Sequence, residues 1–145
     1  MSQENVEIVK KFSPPAGTDL MYLFGDDATW AVAKEGVETL VAPDVEGAFI
    51  AWGQRVNFTR LDGMRATWLD WLAPWTSYYQ EIEDVFGVGD DRVVMLGQEH
   101  GRRRDTEAEV TAETAAIYVV RSIKIVRVDF YAGRAEALEA VGLSE

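Results

Sequence analysis

The stretch Asp91–Tyr131, DRVVMLGQEHGRRRDTEAEVTAETAAIYVVRSIKIVRVDFY, decides the fold. It reads as three successive antiparallel strands, with Arg102-Arg103-Arg104 as a solvated hairpin tip. A meander of this kind turns one face to a core or pocket and the other to solvent or a partner. Chemistry is therefore expected on its inward face. The only histidine of the chain, His100, falls near the end of the first strand.

Working outward, WTSYYQEIEDVF at 75–86 reads as a long strand that turns at Gly87–Asp91 into the meander, and Arg134–Val141 reads as a short terminal helix with Gly142 beyond its end. Upstream, GMRATWLDWL follows Asp62 as a helix cap, sets Met64, Trp68 and Leu72 on one side, and is closed by Pro74. VEGAFIAW at 45–52 and RVNFT at 55–59 pair as a short hairpin about Gly53-Gln54. A helix from Asp26 to about Val41 precedes it, ended by Pro43-Asp44. Val6, Val9 and Phe12 have helical spacing over residues 3–12, before Pro14 and Pro15, and TDLMYLF at 18–24 forms a short second turn. The plan is α+β, with the helices laid on one face of an antiparallel sheet. Trp30, Trp52, Trp68, Trp71 and Trp75 all fall in the segments that close over the sheet, and as a set they are expected to line a pocket as well as fill a core.

Composition narrows the function. The 145 residues are expected to form one domain, 1–145, and the 48% apolar and 27% charged content is that of a globular protein. A net charge of −11 argues against nucleic acid or an anionic membrane as partner. Zero cysteines and one histidine argue against a metal site, and with no Gly-rich phosphate loop, GxSxG or EF-hand loop, no cofactor is indicated. The opening MSQENVEIVKKF lacks the apolar core of a secretory signal, and no apolar run has the length of a membrane span, so a cytoplasmic location is expected.

MSQENVEIVKKF at the start, APDVE at 42–46, DGMRATWLDWL at 62–72, GDDRVV at 89–94 and KIVRVDFYAGRAEALEAVGLSE at 124–145 resemble, in order and spacing, the SnoaL-like branch of the NTF2-like superfamily. The likeness spans the chain except residues 13–30, where this sequence is longer than the commonest members. It implies a cone: a strongly curved antiparallel sheet wrapped around a cavity that the N-terminal helices close. Members include ketosteroid isomerases, polyketide cyclases, limonene-epoxide-type hydrolases and non-catalytic transport factors, and many dimerise through the outer sheet face.

By that similarity, Val126, Val128, Phe130 and Ala132 face inward on the last strand, and the period of two turns Arg127, Asp129 and Tyr131 outward. Thr114, Ala116, Tyr118 and Val120 face inward on the strand before it, and Val94, Leu96, Gln98 and His100 on the first. Glu99, Glu113 and Asp129 are then outward carboxylates; a slip of one residue would bring Glu99 and Asp129 in. The isomerase template places its base near Phe49 and its acid near Ala116. The epoxide-hydrolase template places its last-strand aspartate on Phe130. The cyclase template places its histidine near His100 but has Ala116 or Ile117 in place of the aspartate. The resemblance thus implies a pocket for a hydrophobic small molecule, lined by Trp30, Phe49, Trp68, Tyr78, Leu96, Gln98, Val128 and Phe130. If the pocket is catalytic, His100 is its acid–base group and Tyr118 its oxyanion donor. The alternative is a non-catalytic homodimeric binding or assembly module of the same fold, joined through the outer sheet face.

Overall fold

The computed structural model describes residues 2–143. The chain runs α1 (Ser2–Phe12), α2 (Leu20–Gly25), α3 (Asp27–Val37), a 3-10 turn (Glu38–Leu40), β1 (Val41–Ala51), β2 (Gln54–Thr59), α4 (Arg60–Leu72), β3 (Trp75–Val88), β4 (Arg92–Arg103), β5 (Glu109–Arg121), β6 (Lys124–Tyr131) and α5 (Arg134–Ala140). One six-stranded sheet has the order β2-β1-β6-β5-β4-β3. The β3–β6 meander and the β1–β2 hairpin are antiparallel, but β1 and β6 pair in parallel, so the sheet is mixed where a purely antiparallel one was expected. The reason is topological. Helix α4 carries the chain from β2 to the far edge, and the meander returns β6 alongside β1 in β1's own direction. The sheet stays open, with β2 and β3 as its edges.

Local chemistry sets the element ends. Asp19 caps α2 by accepting from Met21 N at 2.9 Å, and it also accepts from Tyr78 N at 3.2 Å, which ties the helix to β3. Asp26 caps α3 through Thr29 N and Thr29 Oγ1. The expected run of helix to Val41 stops at Val37, and β1 begins at Val41, ahead of Pro43. Proline is tolerated there because the β1–β6 register shifts between Val41 and Glu46, leaving a bulge that needs no N–H from residue 43. Asp62 does not cap α4. Thr59 holds the cap position, and Asp62 accepts instead from Trp30 Nε1 at 3.3 Å and Lys34 Nζ at 3.1 Å, clamping α3 to α4.

Burial divides between two faces. The concave face packs against α1–α4 through Val9, Leu20, Trp68, Leu72, Val93 and Tyr118. The convex face carries a second cluster, in which Ala48, Ile50, Val94, Ile117 and Tyr131 meet Ala137 and Val141 at the C-terminal end. Helix α5 therefore covers the side opposite the other helices, correcting the one-face plan. Gly47 is obligatory at the β1–β6 seam: a Cβ there would stand 1.8 Å from the Val128 carbonyl oxygen. Among the described residues no helix is long and apolar enough to cross a membrane.

Candidate functional site

The parity of β4 decides which side chains enter the cone, and it runs opposite to the expected one. Val93 and Met95 belong to the inner cluster, whereas Val94 and Leu96 pack with the outer one. The β4–β5 register is continuous from Arg92 to Arg102, so the alternation carries Gly97, Glu99 and Gly101 inward and Gln98 and His100 outward. Two glycines make room on the inner side. A Cβ at Gly101 would lie 2.5 Å from Trp75 Cε3, and one at Gly97 2.6 Å from the Glu81 carbonyl oxygen.

Glu99 is consequently a carboxylate inside the cone. One oxygen accepts from the Tyr78 hydroxyl; the other accepts from Gln80 Nε2 at 2.8 Å and Thr114 Oγ1 at 3.2 Å. Tyr78 is itself held by Trp71 Nε1, which donates to its hydroxyl at 2.9 Å. Among the described residues no cationic side chain bonds or pairs with Glu99. Burial pushes its carboxyl above the usual carboxylate range, and the three donors pull the other way without cancelling that effect. Burial, and then the charge of Glu99, pushes the Tyr78 hydroxyl up as well. Glu99 is half-buried, and its side chain borders two pockets.

Two chambers lie beside this network, the larger reached by Gln80 and the smaller by Glu99. The larger, about 290 Å³, is apolar and lies beneath α1–α4; Trp30, Phe24, Met64, Tyr118 and Gln80 line it. The smaller, about 210 Å³, lies between the β1–β2 turn, the end of α4 and the end of β6, with Phe49, Trp52, Trp71 and Glu99 in its wall. Trp68 and Phe130 border both, and their rings meet edge to face at 5.2 Å.

The expected site residues are thus split. Trp30, Phe49, Trp68 and Phe130 line the chambers, and Tyr78 bonds Glu99. Tyr118 lines the larger chamber, where burial pushes its hydroxyl up and Met95 Sδ, 4.0 Å away, is its acceptor. Val128 is sealed in the core beneath Gly47. Leu96, Gln98 and His100 are corrected to the outer parity, since β4 is offset by one residue from the expected register. His100 stacks on Tyr79 at 4.8 Å, bonds Thr111 Oγ1 at 3.2 Å and pairs with Glu81. Asp129 does stay outward, held by Arg127 at 2.9 Å. Glu99, expected outward because an isolated carboxylate defaults to solvent, comes in through the one-residue slip held open for it, which occurs on β4 and not on β6. The signal that finds it is the pair of glycines sharing its parity. Among the described residues no three His, Asp or Glu side chains gather as a metal site would require.

A curved mixed sheet closed on its concave side by helices, with an aromatic cavity and an inward carboxyl, defines an α+β cone of the pocket-bearing type. The model of the SnoaL-like domain matches residues 19–128, and the chain belongs to that family. Solved structures share the fold across nearly the full length. A putative SnoaL-like polyketide cyclase from Jannaschia sp. CCS1 is 12% identical, with a TM-score of 0.66, covering 99% of this chain and 95% of its own. A hypothetical protein of ketosteroid isomerase-like fold from Catenulispora acidiphila, solved in complex with trimethylamine, is 16% identical, with a TM-score of 0.59 and coverage of 94% and 93%. A putative polyketide cyclase from Xanthomonas campestris pv. campestris is 18% identical, with a TM-score of 0.57 and coverage of 97% and 98%. At these identities the likeness is one of fold. A search of curated proteins finds no match.

Proposed function

We propose that this protein binds an apolar small molecule in the cone and exchanges a proton with it through Glu99 rather than His100. The observation that carries the reading is a carboxyl inside the cavity with three uncharged donors and no cation. A carboxyl whose pKa burial raises can carry a proton and donate it to a ligand carbonyl. Once it has given up its proton, Tyr78, Gln80 and Thr114 are placed to hold the carboxylate, so the same group can take a proton back. Tyr118, which donates to the weak thioether of Met95, is available as a donor from the larger chamber. The reaction class that fits is proton transfer at a carbon or oxygen of an apolar substrate, as in isomerisation, cyclisation or hydration. The non-catalytic alternative rested on the want of an inward carboxylate, and Glu99 removes that support. A homodimer through the outer sheet face belongs to the same reading, with the Tyr79–His100 stack as part of the contact; light scattering that gives a 16.2 kDa species would remove it.

The test is a panel of apolar ketones and phenols screened by thermal shift, with native mass spectrometry of the purified protein for a retained ligand. Ligands that stabilise the wild type should lose at least tenfold in affinity in Glu99→Gln and keep it in His100→Ala. No shift across the panel and no co-purified mass would defeat the reading. Loss of binding in His100→Ala alone would return the role to the histidine.

A further inference from the structure

The smaller chamber differs from the larger one in chemistry, and the difference selects a ligand group. Its walls are the rings of Phe49, Trp52, Trp71 and Phe130, its charged group is Glu99, and no lysine or arginine lines it. Aromatic faces carry negative electrostatic potential and attract cations, most strongly where water is excluded. Glu99 in the same wall becomes the counter-charge when a cation beside it favours the ionised carboxyl. At about 210 Å³ the chamber is smaller than the pockets that enclose whole drug-sized ligands, so it suits a head group rather than an entire molecule.

The turn at its rim gives independent support. Ala51 and Gln54 pair across a two-residue turn in which Trp52 has φ 51° and Gly53 φ 77°. Both central residues at positive φ make a type I′ turn, whose first position favours asparagine, aspartate or glycine. A tryptophan there costs backbone strain, and this one is 85% exposed, so burial does not repay it. Its indole instead stacks on Trp71, with ring centroids 6.2 Å apart, at the edge of the chamber that holds Glu99. An expensive aromatic at an exposed rim is the pattern of a ligand clamp.

We propose that the smaller chamber receives the alkylammonium group of an organic cation, with Glu99 as counter-ion, Trp52 and Trp71 as the cage, and the apolar remainder of the ligand reaching past Trp68 and Phe130 into the larger chamber. This rests on the reading of Glu99 as the ligand-facing group of the cone. The groups that face Glu99 are Tyr78 and Gln80 of β3, Thr114 of β5 and the pocket rings, none of them a cation. A bound ammonium would be the positive charge that no neighbouring side chain supplies, and it would draw Glu99 to the ionised form. An anionic head group would meet a carboxylate and negative ring faces, and it is excluded.

The test compares choline with 3,3-dimethylbutan-1-ol, which has the same shape with a neutral carbon in place of the nitrogen. Affinities are read by tryptophan fluorescence and calorimetry on the intact protein at pH 8. Choline should bind the wild type at least tenfold more tightly than the alcohol, and the ratio should fall towards one in Glu99→Gln. Trp52→Ala, which removes an exposed side chain, should weaken choline severalfold while leaving the melting temperature within a few degrees. That second variant keeps the proposal open to refutation if Glu99→Gln fails to fold. Equal affinity for the two probes, or choline binding that neither variant alters, overturns the cation assignment. If apolar ketones and phenols bind while choline does not, the cation assignment falls and the pocket reading stands. If nothing binds, both fall.

Discussion

Replacing Glu99 by glutamine isolates the energetic cost of an unpaired carboxyl inside the cone. Below about pH 4 the carboxyl is protonated in both folded and unfolded chains, and the substitution changes only hydrogen bonding. The amide oxygen can still accept from Tyr78, while Gln80 must turn its amide and Thr114 must become the acceptor. The cost at acid pH should therefore be about 1 kcal/mol, one ordinary hydrogen bond. Above about pH 4.3 the unfolded chain releases this proton, whereas the folded chain, with its raised pKa, holds it. The folded state then binds more protons than the unfolded state, so wild-type stability attributable to this group falls with pH, by up to about 1.4 kcal/mol per unit. The fall ends where the folded carboxyl itself ionises. Glutamine has no such slope. Urea unfolding of both proteins from pH 4 to pH 8 reads the difference directly, and the other 24 of the 25 acidic residues cancel in it. The variant should gain on the wild type from about pH 4.5 upward. A difference independent of pH, or a wild-type advantage that widens as pH rises, would refute the reasoning, because that sign belongs to a carboxylate with a lowered pKa.

Other substitutions test the scaffold around the site. Gly47→Ala forces a Cβ against the Val128 carbonyl and should cost about 3 kcal/mol, measured as a lower urea midpoint with unchanged m-value. Ser122 and Ile123 both hold positive φ in the β5–β6 turn, so Ser122→Asn with Ile123→Gly should relieve strain and stabilise by about 1 kcal/mol in the same assay. Trp71→Phe removes the indole donor to Tyr78 and should destabilise by about 1 kcal/mol beyond the packing lost. Tyr78→Phe in the Trp71→Phe background should then cost less than Tyr78→Phe alone, which a double-mutant cycle would show.

The parts of the fold that could be read from the sequence are those whose pattern has one solution. On β5 and β6, Thr114, Ala116, Tyr118, Val128 and Phe130 alternate with polar Arg127 and Asp129, and their inward parity matches the structure. On β4, Val93-Val94-Met95-Leu96 is apolar on both parities because α5 and the convex cluster bury the second face too, so alternation carries no information there. The register, and with it the exchange of His100 for Glu99, is set by Gly97 and Gly101, which let Trp75 and the β3 backbone close in. The parallel β1–β6 pair depends on where the meander ends in space, which no local pattern encodes. The start of β1 was hidden by Pro43, which reads as a break until the bulge beside it is known. The chamber aromatics were legible as a class, since large rings clustered in the helices and first strands have few other uses.

The cone is expected to raise the carboxyl of Glu99 above the range of the surface glutamates. Carbon-13 NMR titration of the glutamate Cδ resonances, with Glu99→Gln to assign the signal, tests it most directly. One resonance, absent from the variant, should titrate above the range of the other glutamates. A Glu99 signal that titrates together with the surface glutamates would contradict it.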